Sequence, residues 1–382
     1  MDKKNLVDSR LLEIIRATRR VVVKVGSSIL VGTDGKISAR ALTGIARGIA
    51  LIQKNGVHVI LVSSGAIACG MQALKLVKKP RKISELQACA AIGQPVLIQL
   101  YHKALDRERL KPAQLLLTRS DLEDRTRFLN AKQTLAELFH RKLIPIINEN
   151  DTVAVEEIRV GDNDNLSALV TNLVDADLLI LLTDQEGLFT ADPRKDPGAL
   201  RIPVVENVDG TTLAYAADTL AARSVGGMKT KLEAAQKAAE FGIPTVIADG
   251  LDARALERIF AGELTGTLFL PRLDSLTARQ HWIAFTLQPA GSLTIDDGAK
   301  QALTEAKKSL LPSGVVGVQG KFLPGDPVDV IDREGNRLGR GLISYDSEEV
   351  TKLLGRRSTE IEKLLGYKGP DELIHRNNFV RL

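Results

Sequence analysis

The sequence predicts an α/β fold in which helices pack around a mostly parallel central sheet, followed by a small β-rich domain. Three observations carry this. Apolar runs at 20–26, 57–62, 144–147 and 178–182 have the near-continuous hydrophobicity of strands buried on both faces. Stretches with helical spacing separate them, as crossover connections between parallel strands require. After about residue 290 the pattern changes to short strands punctuated by glycine.

Taken in order, residues 1–18 read as a short polar extension with some helical spacing at Leu11, Leu12, Ile14 and Ile15. Arg20 to Gly26 is a β-branched strand ending in a tight turn. Helical spacing over 37–54 is stopped by Asn55-Gly56, and a second buried strand at 57–62 runs into Ser63-Ser64-Gly65. Helices are expected over about 66–76 and 83–106, a strand over 114–117, a helix over 122–140 and a strand over 144–147. Residues 152–160 read as a hairpin arm, 166–173 as a short helix, 178–182 as a strand, 228–240 as an Ala-rich helix and 245–248 as the next strand. Thr265-Gly266-Thr267 and Pro271 break the pattern. Short strands then follow at 293–295, 315–318, 328–331 and 342–344, with Gly314, Gly320, Gly325, Gly335, Gly339 and Gly341 breaking them up. The expected organisation is an N-terminal extension at 1–18, a first domain at 19–271, a linker at 272–289, a second domain at 290–368 and a tail at 369–382.

Composition narrows the function. At about 150 residues per domain, 382 residues make two to three domains. Aromatics are only 4 %, which argues against a reader of nucleic acid by base stacking. Two cysteines, Cys69 and Cys89, exclude a disulfide scaffold and suit a reduced, cytoplasmic setting. The start Met1-Asp2-Lys3-Lys4 leads into no apolar segment of signal-peptide type, and the longest apolar runs are too short for a bilayer, so no membrane partner is expected. The net charge of +5 is unevenly spread: 26 Lys/Arg against 12 Asp/Glu in 1–150, 3 against 11 in 151–200, and 23 against 24 beyond. A polyanionic ligand would be drawn to the first segment, although a solvated basic surface explains the excess equally well.

Six motifs carry chemistry. Lys24, at the end of an apolar strand, is followed by Gly26, Ser27 and Ser28, which offers a cation and backbone N–H groups to phosphate oxygens without the spacing of a Walker A loop. Ser63-Ser64-Gly65-Ala66 opens a helix, where hydroxyls and free N–H groups suit an anion or act as a plain cap. Asn148-Glu149-Asn150-Asp151 and Gly161-Asp162-Asn163-Asp164-Asn165 hold more short polar groups than capping needs. The second of these lacks the glycine and closing glutamate of a calcium loop. Thr183-Asp184-Gln185-Glu186-Gly187 follows an apolar strand. Gly226-Gly227-Met228-Lys229-Thr230-Lys231 puts two lysines in a first helical turn, where they oppose the macrodipole unless an anion is near.

In this order, and with Arg-Phe-Leu-Asn-Ala at 127–131 and Ala-Asp-Pro-Arg at 191–194, the motifs resemble the amino acid kinase family. The Gly-Asp-Asn-Asp-Asn-Leu-Ser-Ala block points to its glutamate-phosphorylating branch, and residues 290–368 are similar to that branch's C-terminal PUA domain. The resemblance implies a sandwich of helices around the sheet, with nucleotide at the C-terminal strand edge and the amino acid beside it. It implies that Lys24 and Lys231 contact the phosphates and that Asp164 orients them. Ser64, Asn148, Asp151 and Asn163 would hold glutamate. Gly26, Ser27, Thr183 and Asp184, with Val225, Gly226, Gly227, Met228, Lys229, Thr230 and Lys231, would hold ATP. Mg²⁺ would bridge the nucleotide phosphates, with no metal ligand from the protein. It also implies a homo-oligomer (dimer or tetramer), feedback by proline and coupling to glutamyl phosphate reductase. The loop departs from the family pattern at Val225, where a glycine and a hydroxyl are expected just before Gly226. Competing readings are another acceptor within the family (aspartate, acetylglutamate, carbamate or UMP), a pseudokinase, and an RNA-binding protein. Against the last stand 12 Lys/Arg and 12 Asp/Glu over 290–368, because a phosphate-tracking surface is basic.

Overall fold

The computed structural model describes residues 3–32, 35–153, 163–193, 195–217, 227–271, 288–306 and 308–382. They divide into two compact units, Met1–Leu122 with Thr126–Ser275 and Glu123–Arg125 with Leu276–Leu382. Among the described residues no helix is long and apolar enough to cross a membrane.

The first unit begins with helix α1 (Lys3–Ala17), strand β1 (Arg20–Val25) and the short helix α2 (Ser27–Leu30). Helix α3 (Ala39–Lys54), strand β2 (His58–Ser63), helix α4 (Ala66–Ala73) and the long helix α5 (Ile83–Asp106) follow. Next come β3 (Pro112–Leu117), α6 (Arg119–Glu123), α7 (Arg125–His140), β4 (Ile144–Glu149), α8 (Asn163–Leu173) and β5 (Leu178–Thr183). The last elements are β6 (Val204–Val205), α9 (Gly210–Ala217), α10 (Met228–Glu240), β7 (Thr245–Asp249), α11 (Ala255–Phe260) and β8 (Gly266–Phe269). The strands form one eight-stranded sheet in the order β3-β4-β2-β1-β5-β7-β8-β6. All neighbours are parallel except β7 and β8. The central strands are buried along their length, as their unbroken apolar runs require.

Two expectations for this unit change. Residues 1–18 are no mere polar extension: Leu11 is fully buried in the main core, and Ile14 and Ile15 pack against it. Thr265-Gly266-Thr267 does not break the sheet but starts β8, which runs antiparallel to β7. Gly266 is there because a Cβ would lie 1.9 Å from the Ile247 carbonyl oxygen. Most of the hairpin arm expected at 152–160 and most of the linker at 272–289 lie outside the described residues.

The second unit contains β9 (Gly291–Ile295), α12 (Asp297–Thr304), β10 (Val315–Gly320), β11 (Pro327–Ile331), β12 (Arg337–Leu342), α13 (Ser347–Leu353), α14 (Ile361–Leu365) and β13 (Phe379–Arg381). Its sheet order is β10-β9-β11-β12-β13, with only β9 and β11 parallel. Gly339 and Gly341 do not interrupt strands: both lie inside β12, which ends at Leu342 where a strand at 342–344 was expected. A Cβ at Gly339 would lie 2.2 Å from the Val380 carbonyl oxygen, and one at Gly341 would lie 2.6 Å from the Ile374 side chain. Their close neighbours come from 369–382, set apart in the sequence as a tail. That segment supplies the edge strand β13 and places Leu373, Ile374 and Phe379 in the core of this unit.

Candidate active site

Strands β1, β2, β4 and β5 are parallel, so their C-terminal ends open at one edge of the sheet. Lys24 is next to last in β1, Ser63 last in β2, Asn148 next to last in β4 and Thr183 last in β5. The first turns of α8 and α10 meet at this edge. Asn163 and Asp164 are consecutive in α8, so their side chains diverge by about 100° and serve two neighbouring clusters.

Asp164 anchors the first cluster. Its Oδ1 lies 2.5 Å from the Lys24 Nζ, and its Oδ2 lies 3.1 Å from the Lys231 Nζ. The Thr230 hydroxyl donates to the same Oδ2 at 2.8 Å and lies 2.9 Å from the Gly227 carbonyl oxygen. Only 1 % of Asp164, 5 % of Lys24 and 6 % of Lys231 is exposed. Charges buried this far persist only when paired. Burial alone would raise the Asp164 carboxyl, but the two ammoniums and the hydroxyl outweigh it and hold the group at about 2. Asp164 is therefore ionised, and it draws two cations from different elements to one point.

Asn163 anchors the second cluster. Its Nδ2 lies within donating distance of three acceptors: the Ser64 Oγ at 2.8 Å, the Asn148 Oδ1 at 2.9 Å and the Ser63 carbonyl oxygen at 3.0 Å. The Glu149 backbone N–H also donates to the Asn148 Oδ1, at 2.9 Å. Ser64 follows β2 and is succeeded by Gly65, whose φ of +107° caps α4 in the left-handed region. The turn that presents Ser64 thus depends on a glycine. Asp151, two residues beyond β4, is half-buried, and no hydrogen bond among the described residues joins it to this cluster. Burial pushes its carboxyl up to about 6.

The remaining sequence candidates differ in placement. Thr183 is buried, and its hydroxyl donates to the Asp184 Oδ1 at 3.1 Å. A Cβ at Gly26 would lie 3.7 Å from the Lys24 Nζ, which puts the Gly26-Ser27 turn beside that ammonium. Met228 is buried in the core, so only its backbone can face a ligand. Lys229 turns outward and pairs with Glu233 at 3.9 Å, away from the Asp164 cluster. The hydroxyl of Thr230, expected to touch nucleotide, is bonded to Asp164. Val225 and Gly226 lie outside the described residues. Ser63, read in the sequence only as part of the Ser63-Ser64-Gly65-Ala66 motif, and Gln94 and Tyr101, which sequence reasoning did not single out, contact the segments that carry Ser64 and Asn148. The only sequence signal for the last two is a Gln and a Tyr spaced two helical turns apart within 83–106.

Two buried lysines sharing a carboxylate, beside an amide-and-hydroxyl cluster, can neutralise a phosphoryl group next to a small polar acceptor. Comparison with known proteins agrees. Residues 19–249 match the model of the amino acid kinase family and 291–365 that of the PUA domain. A glutamate 5-kinase from Citrifermentans bemidjiense is 48 % identical over 370 residues, covering 97 % of this chain and 99 % of the relative. A glutamate 5-kinase from Geobacter sulfurreducens is 48 % identical over 369 residues, covering 97 % and 99 %. One from Azoarcus sp. is 50 % identical over 366 residues, covering 96 % and 98 %. The Lys24–Asp164–Lys231 cluster thus sits on the scaffold of a phosphotransferase, and the chain belongs to the amino acid kinase family, among the glutamate 5-kinases with a C-terminal PUA domain.

Proposed function

We propose that the chain transfers the γ-phosphoryl group of ATP to the γ-carboxylate of L-glutamate, giving L-glutamyl 5-phosphate and ADP. The observation that carries this reading is the junction at Asn163-Asp164, where the polar Ser64–Asn148–Asn163 cluster adjoins the buried Lys24–Asp164–Lys231 cluster. A carboxylate acceptor is already a nucleophile, so no strong general base is needed. Positioning in line and charge neutralisation suffice. A γ-carboxylate oxygen attacks the γ-phosphorus while the bond to the β–γ bridging oxygen breaks, and ADP departs with that electron pair. Lys24 and Lys231 neutralise the transferring group, and Asp164 fixes their spacing.

Ser64, Asn148 and Asn163 hold the substrate's polar groups, and Asp151 takes its ammonium. Gly26, Ser27, Thr183, Asp184 and the 225–231 loop hold ATP, Met228 through its backbone. Mg²⁺ supplies further neutralisation of the phosphates. Asp164, the buried carboxylate at the site, is engaged by two lysines. The residues present fit a metal that arrives with the nucleotide.

In this reading the reaction is the first step of proline synthesis, in the cytoplasm and in a homo-oligomer of two or four chains. Feedback by proline and hand-over of the labile acyl phosphate to glutamyl phosphate reductase complete this reading. Glutamate kinetics unchanged by about 1 mM proline, the upper end of ordinary KM values, would remove the feedback. The test of the reaction itself is ADP release with ATP and Mg²⁺ over a panel of glutamate, aspartate, N-acetylglutamate, carbamate and UMP. Turnover that depends on glutamate alone is expected. Turnover with a different acceptor would overturn the substrate assignment.

A further inference from the structure

Two side chains on one face of α5 reach the loops assigned above to glutamate, and the reaction as derived uses neither. Tyr101 is buried, and its hydroxyl lies 2.8 Å from the Ser63 Oγ. The Ser63 hydroxyl gives its single proton to the Ser64 carbonyl oxygen at 3.0 Å, so the phenol is the donor to Ser63. Burial pushes the phenol up, which keeps the proton on it. The result is a directed relay, Tyr101 to Ser63 to the Ser64 carbonyl.

Two helical turns earlier, on the same face, Gln94 donates from Nε2 to the Glu149 carbonyl oxygen at 3.3 Å. Its Oε1 accepts from Gln114 at 3.2 Å. Between them, these contacts reach the ends of β2 and β4, the same two loops that Asn163 ties together. Gly93 sets the helix at that depth: a Cβ there would lie 1.8 Å from the Ala66 carbonyl oxygen, in the first turn of α4. Thus α5 seats backbone against backbone beside Ser64-Gly65, close enough for a tyrosine hydroxyl to reach Ser63.

We propose that Tyr101 is a positioning residue for the amino-acid substrate, its hydroxyl fixing the Ser63-Ser64 turn through the Ser63 side chain. This rests on the assignment of Ser64, Asn148 and Asn163 to glutamate. Tyr101 touches neither substrate nor phosphate. It sets where the Ser64 hydroxyl stands relative to the amides of Asn148 and Asn163. Phenylalanine would fill the same space and remove this one restraint on the turn, leaving the bonds from Asn163.

The test uses the full-length protein in four variants, Tyr101→Phe, Ser63→Ala, the double variant and Asn163→Ala, with steady-state kinetics in both substrates and thermal unfolding. One lost hydrogen bond predicts that Tyr101→Phe raises the KM for glutamate about five- to tenfold. The kcat, the KM for ATP and the melting temperature stay near the parent values. The double variant is no worse than Ser63→Ala alone, because both changes remove one interaction. An unchanged glutamate KM in Tyr101→Phe, with Asn163→Ala raising it, overturns the proposal. So does a joint fall of kcat, both affinities and melting temperature, which would mark Tyr101 as core packing. A parent enzyme inactive with glutamate, or a glutamate KM unmoved by Asn163→Ala, removes the substrate assignment and this proposal with it.

Discussion

Asp164 and Asp151 are two carboxylates at one sheet edge whose environments act in opposite directions. Asp164 meets two ammoniums and is held near 2, whereas Asp151 meets mainly desolvation and is raised to about 6. Lys231→Ala leaves Asp164 paired with Lys24 and Thr230, so the fold survives. By analogy with losing one transition-state donor, kcat falls by about 10²–10³-fold. Asp164→Ala leaves two buried ammoniums without their shared carboxylate, so it abolishes turnover and also costs about 3–5 kcal/mol of stability. Kinetics alongside denaturant unfolding of both variants separates the two effects. Asp151 sets a pH dependence. A carboxyl raised above its ordinary value is ionised only above about pH 6, and only the ionised form attracts the substrate's ammonium. The KM for glutamate therefore rises as pH falls through 6 while kcat changes less, and Asp151→Asn flattens the profile at a uniformly higher KM. Lys24 and Lys231 were legible in the sequence because lysines in an apolar strand and in a first helical turn need an anion, whereas the role of Asp164 was implied by the family resemblance. Tyr101 and Gln94 were not legible, because their partners are a side chain and a backbone carbonyl that only the folded chain brings near.

At the scale of elements, apolar periodicity found most of the sheet and misread two kinds of segment. The first is α1, whose polar majority hides one fully buried residue. Leu11 lies in the main core, and Leu11→Ala costs about 2–5 kcal/mol, as expected for a buried leucine rather than one in a dispensable arm. Denaturant unfolding of that variant checks this, and a change under about 0.5 kcal/mol, the range of surface substitutions, would return α1 to the status of an extension. The second kind is the glycine-containing strand. Gly266, Gly339 and Gly341 read as turns in one dimension, yet each lies in a strand where another chain segment leaves no room for a Cβ. Composition marks the glycine; only packing says which of its two uses applies. The α4–α5 pair shows the same use between helices, since a Cβ at Gly70 would lie 1.8 Å from the Cys89 carbonyl oxygen.

For the whole molecule, each unit has its own sheet and core. The second unit's core depends on residues the sequence set apart: Leu373, Ile374, Phe379 and Val380 are all buried. A fragment spanning 288–382 is expected to unfold cooperatively, whereas one ending at 368 loses β13 and those side chains and does not. Circular dichroism melts of the two fragments make the comparison. The balance of 12 basic and 12 acidic residues over 290–368 gives no reason to expect salt-sensitive RNA retention by the longer fragment.

In the proposed reaction a carboxylate becomes an acyl phosphate at the Asn163-Asp164 junction. The most direct measurement is hydroxylamine trapping with the parent enzyme, ATP, Mg²⁺ and glutamate, because hydroxylamine converts an acyl phosphate to a hydroxamate. Hydroxamate formed in step with ADP, and lost in Lys231→Ala, is the predicted result. Folded protein that releases ADP without hydroxamate, or makes none with glutamate, would contradict it.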